Sequence, residues 1–330
     1  MTNIVKFPNL GIQFTIDRVM FSIGGIKIYW YGFIIALAFL LAVWYGLRRC
    51  EKFGIDKDTI VDMLLIVTPI AIIGARAYYV LFNFSEFEGD FWSVFEIWNG
   101  GIAIYGAVIF SVISALIFCK IKKLNTLNLF DLGALGLMIG QSIGRWGNFV
   151  NGEAYGIAVD GLPWGMVVEN QIHSTFGVMV HPIFLYESLW NALGLLILHF
   201  VSKKRRFYGQ IFFSYIAWYG IGRGFVEGIR GDDALLFFDT GIKVSQVLGY
   251  LSALVAIGII VYKFIFSDRG DTIELLTKEE IAQAKLAAVA EGAAEETVEV
   301  APAEVACECE EAAEEITEET VEETKEEETL

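Results

Sequence analysis

A chain of 330 residues that is 55% apolar and 14% aromatic, with a mean hydropathy of +0.54, is too apolar for an ordinary soluble domain of its length. The net charge of −16 does not describe the whole chain: residues 267–330 carry 22 Asp and Glu against 4 Lys and Arg, whereas the first 266 carry 18 against 20. The acidity therefore belongs to one tail and excludes nothing about what the apolar body binds.

The first 27 residues lack the basic start, apolar core and small-residue cleavage site of a signal peptide. They read as short strands, with Gly24-Gly25 as a hairpin turn. Apolar runs follow at 28–48, 59–82, 101–119, 129–149, 182–201, 209–228 and 244–266. Each reaches or approaches the roughly 20 residues that a helix needs to cross a hydrocarbon core. The pattern predicts an all-α polytopic membrane protein of about seven transmembrane helices with small outer-face segments. Its parts are an extracytoplasmic segment 1–27, a membrane domain 28–266 and a tail 267–330. Within the tail, IELLTKEEIAQAKLAAVA (273–290) reads as one helix; the Glu/Ala/Thr-rich remainder has the composition of a disordered chain. Cys50 and Cys119 end apolar runs, and Cys307 and Cys309 form a C-x-C in the tail. Neither pair has zinc-site spacing, and all four are expected to be structurally bland.

Basic residues alternate. The connections after spans 1, 3 and 5 carry four, three and four Lys/Arg; those after spans 2 and 4 carry none, and that after span 6 has two. Lys and Arg accumulate on the cytoplasmic side, so the N-terminus is expected outside and the tail inside. The three basic residues of the N-terminal segment are outweighed by the six connections. The polar residues then gather in the outer halves of the spans: Tyr31 in span 1, Arg76 in span 2, Tyr105 in span 3, Gln141, Arg145 and Asn148 in span 4, Glu187 in span 5, and Tyr219, Arg223, Glu227 and Arg230 in span 6. A charged residue at a helix centre costs about 2.5–3.5 kcal/mol on insertion scales, so these arginines need either pairing with Glu153, Glu187 and Glu227 or a role. Tyr219, Arg223, Glu227 and Arg230 are spaced to share one helix face, which suits an anionic lipid headgroup. Gly136, Gly140 and Gly144 form a small-residue stripe for close helix packing near Arg145. The Gly-rich run after them is expected to be irregular backbone lining a cavity.

Residues 144–156, GRWGNFVNGEAYG, resemble the signature of the prolipoprotein diacylglyceryl transferases, G-R-x-G-N-F-apolar-N-x-E-x-x-G, at every specified position. YWYG (29–32), GARAYYVLF (74–82), HPIFLYE (181–187), YGIGRGFVEGIR (219–230) and VSQVLG (244–249) resemble further family blocks in family order, so the resemblance runs from 28 to about 266 and stops before the tail. It implies transfer of an sn-1,2-diacylglyceryl group from phosphatidylglycerol to the lipobox cysteine of a prolipoprotein, forming a thioether and releasing glycerol 1-phosphate. It implies that Arg145 binds phosphatidylglycerol, and that Tyr31, Asn148, Asn151, Glu153, Gly156, Arg223, Glu227 and Arg230 serve substrate or catalysis. Arg76 and Tyr219 join the expected lipid-binding set.

Many family members have a histidine in span 3, in a pattern like H-G-G; here Tyr105 and Ala107 stand there. A tyrosine, with a reference pKa near 10, is a poor base at neutral pH. His173 and His181 are the other outer histidines, and His181, before Pro182 at a helix start, reads as structural. The expected catalytic set is Arg145, Asn148, Glu153, Arg223 and Tyr105. The arginines neutralise the leaving phosphate, and the base stays open between Glu153 and Tyr105. The expected partners are phosphatidylglycerol, the prolipoprotein signal peptide and membrane lipid; no metal, cofactor or nucleic acid is expected. The competing readings are a transporter or channel with paired intramembrane charges, and an intramembrane protease using Asp62 and Asp131.

Overall fold

The computed structural model describes residues 2–87, 91–97, 100–170, 174–231, 242–266, 273–284 and 286–287. Seven long helices run through them: α1 (Trp30–Arg49), α2 (Lys57–Phe82), α3 (Ile104–Ile121), α4 (Thr126–Asn151), α5 (Ile183–Val201), α6 (Gln210–Ile229) and α7 (Val244–Phe266). All but α6 are long and apolar enough to cross a membrane. The exception carries Gln210, Arg223, Glu227 and four glycines. Large apolar side chains on the helix surfaces stay uncovered by protein, among them Leu65, Ile73 and Leu254. That is the pattern of helices packed for a hydrocarbon medium, and the chain is a multi-pass membrane protein.

Local chemistry sets the ends of the helices. Asp56 caps α2 by accepting from the Asp58 and Thr59 amides, and Asn125 caps α4 by accepting from the Asn128 amide. Asp131, buried inside α4, accepts from the Gly209 and Phe212 amides at the start of α6 and from Arg205 Nη1 at 2.8 Å. One carboxylate thus caps one helix from another and pairs with a buried guanidinium. Asp62 pairs with Lys122 at 2.9 Å. Arg49, His199, Tyr45 and Ser202 form a further polar knot where α1 and α5 end.

Strands cover the opposite end of the bundle. β1 (Thr2–Phe7) pairs antiparallel with β2 (Ile12–Asp17) and with β5 (Val167–Glu169). β3 (Val19–Ile23) and β4 (Ile26–Tyr29) form the expected hairpin; Gly24 and Gly25 both have positive φ (55° and 87°), as its two-residue turn requires. The pairing of β1 with β5 was not foreseen, because β5 lies in the long connection between α4 and α5. Val5, Phe7, Met166, Val168 and Val180 bury against Phe184 of α5 and Phe149 of α4. Each such side chain contributes about 1.5–3 kcal/mol, so this small core fixes the end of α4 to the strands.

The structure alters three further expectations. The signature segment is helical through Asn151 and turns only at Gly152, a left-handed C-cap with φ 61°. The glycine stripe of α4 meets α1 at Gly136 (Ala42) and Gly144 (Ile35), whereas Gly140 faces open space and Gly147 is the tightest contact. The helix expected from 273 begins later: β7 (Ile273–Glu274) pairs with β6 (Lys204–Arg205), and helical backbone starts at Lys278. The chain divides into two compact units. The second joins Glu51–Gly54 to the described residues from Leu275, with the Leu276 amide donating to the Lys52 carbonyl. Cys50 and Cys119 are buried thiols that join no disulfide among the described residues; Cys307, Cys309 and His173 lie outside the described residues.

Candidate active site

Three helices bring charges together at the strand-covered end. Glu187 of α5, its side chain 7% exposed, lies 2.7 Å from Arg145 Nε of α4 and 3.4 Å from Arg223 Nη1 of α6. Arg223 also pairs with Glu227, one turn along α6, at 2.7 Å. Two buried carboxylates therefore hold two guanidiniums whose side chains remain 23% and 22% exposed. The carboxylates fix the cations, and part of each cation stays accessible. Such a pair suits a phosphate better than a carboxylate-free cluster would, because the forks are already oriented.

The signature residues form a second network beside this one. Arg145 Nη1 reaches Asn148 Oδ1 at 3.5 Å, Asn148 Nδ2 donates to Glu153 Oε1 at 3.1 Å, and Asn151 Nδ2 donates to the same oxygen at 3.2 Å. Glu153 is thus held by two amides one step from Arg145, and of the three carboxylates that the sequence offered, Arg145 pairs with Glu187. The local backbone explains the arrangement: Gly152 ends the helix, Ala154 takes a positive φ of 53°, and the chain folds back so that Glu153 faces the last turn of α4. Asn3 Nδ2 donates to the Val150 carbonyl, Arg18 Nη2 to the Asn151 carbonyl and Asn170 Nδ2 to the Gly152 carbonyl, so the N-terminal strands and the connection around β5 brace the turn. Tyr31 of α1 packs on Gly147, where a Cβ would come within 2.7 Å of its ring, and lies within electrostatic reach of Arg145 and Glu153.

Gly156 and Arg230 meet through backbone. They form an antiparallel bridge, the Gly156 amide donates to the His181 carbonyl, and a Cβ at Gly156 would collide with His181. Arg230 is the extended C-cap of α6, so it leaves the helix face that the spacing had assigned to it. Tyr219 keeps its place one turn from Arg223 and stacks on Tyr215.

Two expected site residues are not brought into the cluster. Arg76 is buried, and its guanidinium donates to the carbonyls of Ser93, Val94, Gly100 and Gly101. Its guanidinium thus staples Ser93, Val94, Gly100 and Gly101 to α2. Tyr105 is 61% exposed, its ring 6.5 Å from that of Tyr78 on α2, and it makes no hydrogen bond to the arginines of the cluster. The reason is its position at the start of α3, which packs on α2 through Gly74 and Gly106. His181 has Nδ1 3.1 Å from the Tyr186 hydroxyl, to which Trp164 Nε1 donates, and it braces the loop as expected of a structural residue.

Glu187 is the residue whose importance the sequence understated. It was visible only as one of three carboxylates for the arginines, and nothing in its spacing says that it serves both. Among the described residues no group of three His, Cys, Asp or Glu side chains converges as metal ligands.

Residues 18–262 match the family model described as prolipoprotein diacylglyceryl transferase. The chain is 43% identical over 258 residues to the phosphatidylglycerol--prolipoprotein diacylglyceryl transferase of Listeria innocua, covering 77% of this chain and 91% of that one. It is 43% identical over 259 residues to the protein of the same name from Oceanobacillus iheyensis, covering 75% and 88%. For the Bacillus licheniformis protein of that name the identity is 39% over 253 residues, covering 75% and 93%. The three-helix arginine cluster and the signature turn both lie within the matched residues, and the chain belongs to the prolipoprotein diacylglyceryl transferase family.

Proposed function

We propose that the chain is a transferase that moves the sn-1,2-diacylglyceryl group of phosphatidylglycerol onto the thiol of a prolipoprotein lipobox cysteine. The observation that carries this reading is the pair Arg145 and Arg223, fixed by one buried glutamate at the strand-covered end of the bundle. In the reaction the cysteine sulfur forms a bond to the glyceryl carbon that bears the phosphate. The carbon–oxygen bond to the phosphate breaks, and its electron pair leaves with glycerol 1-phosphate. Charge develops on the leaving phosphate, where preorganised cations stabilise the transition state most. The thiol proton must also go somewhere, since the free thiol has a pKa of about 8.5. Glu153, joined to Arg145 through Asn148, is the better candidate to receive it; Tyr105 stands outside the cluster.

The orientation belongs to the same reading. The strand-covered end faces outward from the bacterial cell membrane and the basic connections face the cytoplasm, together with the acidic tail, which leaves the site open to secreted precursors and to outer-leaflet lipid. All seven long helices, α6 included, then span the membrane. The transporter reading is disfavoured beneath the cluster, where Met138, Trp190, Gly194 and Trp218 close the seam with apolar side chains. The protease reading loses its aspartates, since Asp131 is occupied by Arg205 and Asp62 by Lys122.

The test is transfer by the purified protein in phosphatidylglycerol micelles containing a lipobox peptide. The expected result is a peptide mass increase of one diacylglyceryl group, with equimolar glycerol phosphate, that vanishes when the peptide cysteine is replaced by serine. A folded protein giving neither product would overturn the assignment.

A further inference from the structure

Beneath the charged layer lies a second polar layer without charge. Gln141 precedes Arg145 by four residues on α4, Asn191 follows Glu187 by four on α5, and Tyr219 precedes Arg223 by four on α6. Because α5 runs opposite to α4 and α6, all three steps lead the same way, one helical turn or about 6 Å toward the middle of the bundle. Two tryptophans flank the layer at its own depth, Trp190 beside Asn191 and Trp218 beside Tyr219. A Cβ at Gly194 would meet both Met138 and Trp218, and the stacked rings of Trp190 and Trp218 (4.4 Å) donate to each other's backbone carbonyls. The uncharged layer thus has guanidiniums and carboxylates above it and indoles beside it, the Trp190 ring lying against Gly222.

Its hydrogen bonding is incomplete. Asn191 is 3% exposed, and its carboxamide bonds to no described residue. Gln141 Nε2 donates to the Tyr215 hydroxyl at 2.7 Å, but Gln141 Oε1 has no donor among the described residues. Tyr219 contributes a hydroxyl that makes no hydrogen bond among them either, its ring lying 5.9 Å from that of Tyr215. Buried polar groups are nearly always paired, so a buried carboxamide with neither end paired points to a missing partner.

We infer that this layer receives the ester carbonyls of the phospholipid donor, an inference that rests on the transferase reading above. Along a phospholipid the order is phosphate, glyceryl carbons, ester carbonyls, acyl chains. With the phosphate on Arg145 and Arg223, the carbonyls fall a few bonds inward, at the depth of Asn191 and Tyr219. A carboxamide brings two N–H donors and a phenol one O–H, which are the groups that carbonyl oxygens accept from. The glyceryl carbon that the sulfur attacks then lies between the two layers and is held from both sides. The second layer binds substrate and sets the position of that carbon; it takes no part in the proton or bond changes.

The test compares phosphatidylglycerol with its dialkyl ether analogue, which keeps headgroup, phosphate and chain length but lacks both carbonyls. Transfer to a lipobox peptide is measured as kcat/KM in mixed micelles. The wild-type chain is expected to use the ether at least about tenfold less well, because a site built to hydrogen-bond a group rejects the analogue without it. Asn191→Leu and Tyr219→Phe, which remove the unpaired N–H and O–H donors of the layer, are expected to slow the ester more than the ether and so narrow the ratio. Wild-type values for ester and ether within about twofold of each other would overturn the inference, as would a variant that slows both donors equally. Should neither variant fold, the wild-type ratio decides alone. Failure of the wild-type chain to use the ester at all would instead count against the transferase reading.

Discussion

At the residue scale the question is what separates a catalytic arginine from a structural one, since Arg145 has the features of both. It pairs with a carboxylate that is nearly inaccessible, yet a quarter of its own side chain is open. Arg145→Lys keeps the charge and loses the fork that grips two phosphate oxygens. It is expected to stay folded and to lose about 10²–10³ in transfer rate, as when one preorganised oxyanion donor is removed. Arg145→Ala strips Glu187 of its 2.7 Å partner and leaves it the 3.4 Å contact with Arg223, so stability is expected to fall as well. The double change Arg145→Ala with Glu187→Gln separates the roles: it should restore the melting temperature in detergent without restoring transfer. Recovery of both together would make Arg145 a structural partner only. The sequence already marked Arg145, Asn148, Asn151 and Glu153 through a dense local signature, and the structure brings them into one network. It could not show that Arg76 is consumed by four carbonyls, because those carbonyls belong to a loop 17 to 25 residues away.

At the element scale, α6 is positioned from both of its ends. Its start is capped by Asp131 of α4, and its last turns carry Arg223 and Glu227 to the cluster before Arg230 crosses Gly156. Asp131→Asn removes the buried counterion of Arg205, which is itself 1% exposed. Breaking such a pair costs about 3–5 kcal/mol, so a clear fall in melting temperature is expected. Transfer per folded molecule at low temperature should change far less, since Arg223 lies three turns further along the helix. A variant that melts like wild type but transfers no lipid would mean that Asp131 acts in the chemistry. Helix lengths and the hairpin were readable because apolar runs, caps and paired glycines are local signals. The sheet of β1, β2 and β5 was not, because the pairing of β1 with β5 joins residues more than 160 positions apart and only the folded chain brings them together.

At the scale of the whole molecule, the alternation of basic connections makes a prediction about sidedness. In a cysteine-free background, single cysteines at Phe84 or Trp164 should react with an impermeant thiol reagent applied to intact cells, and single cysteines at Lys123 or Lys203 should react only after the membrane is opened. All four parent side chains are at least partly exposed, so access through the membrane is the variable being read. The opposite pattern would invert the orientation and place the arginine cluster on the cytoplasmic side. By itself the sequence determined the membrane class, the helices to within a few residues and the signature that marks the family, because hydropathy, charge alternation and short motifs are properties of neighbouring residues. Only the tertiary structure decided that Glu187 serves two arginines, that Tyr105 stands apart from them, and that an uncharged layer lies one turn beneath. Those facts depend on which faces of α4, α5 and α6 meet, and that is set by side-chain packing between helices distant in the chain, above all the small residues that let backbones approach.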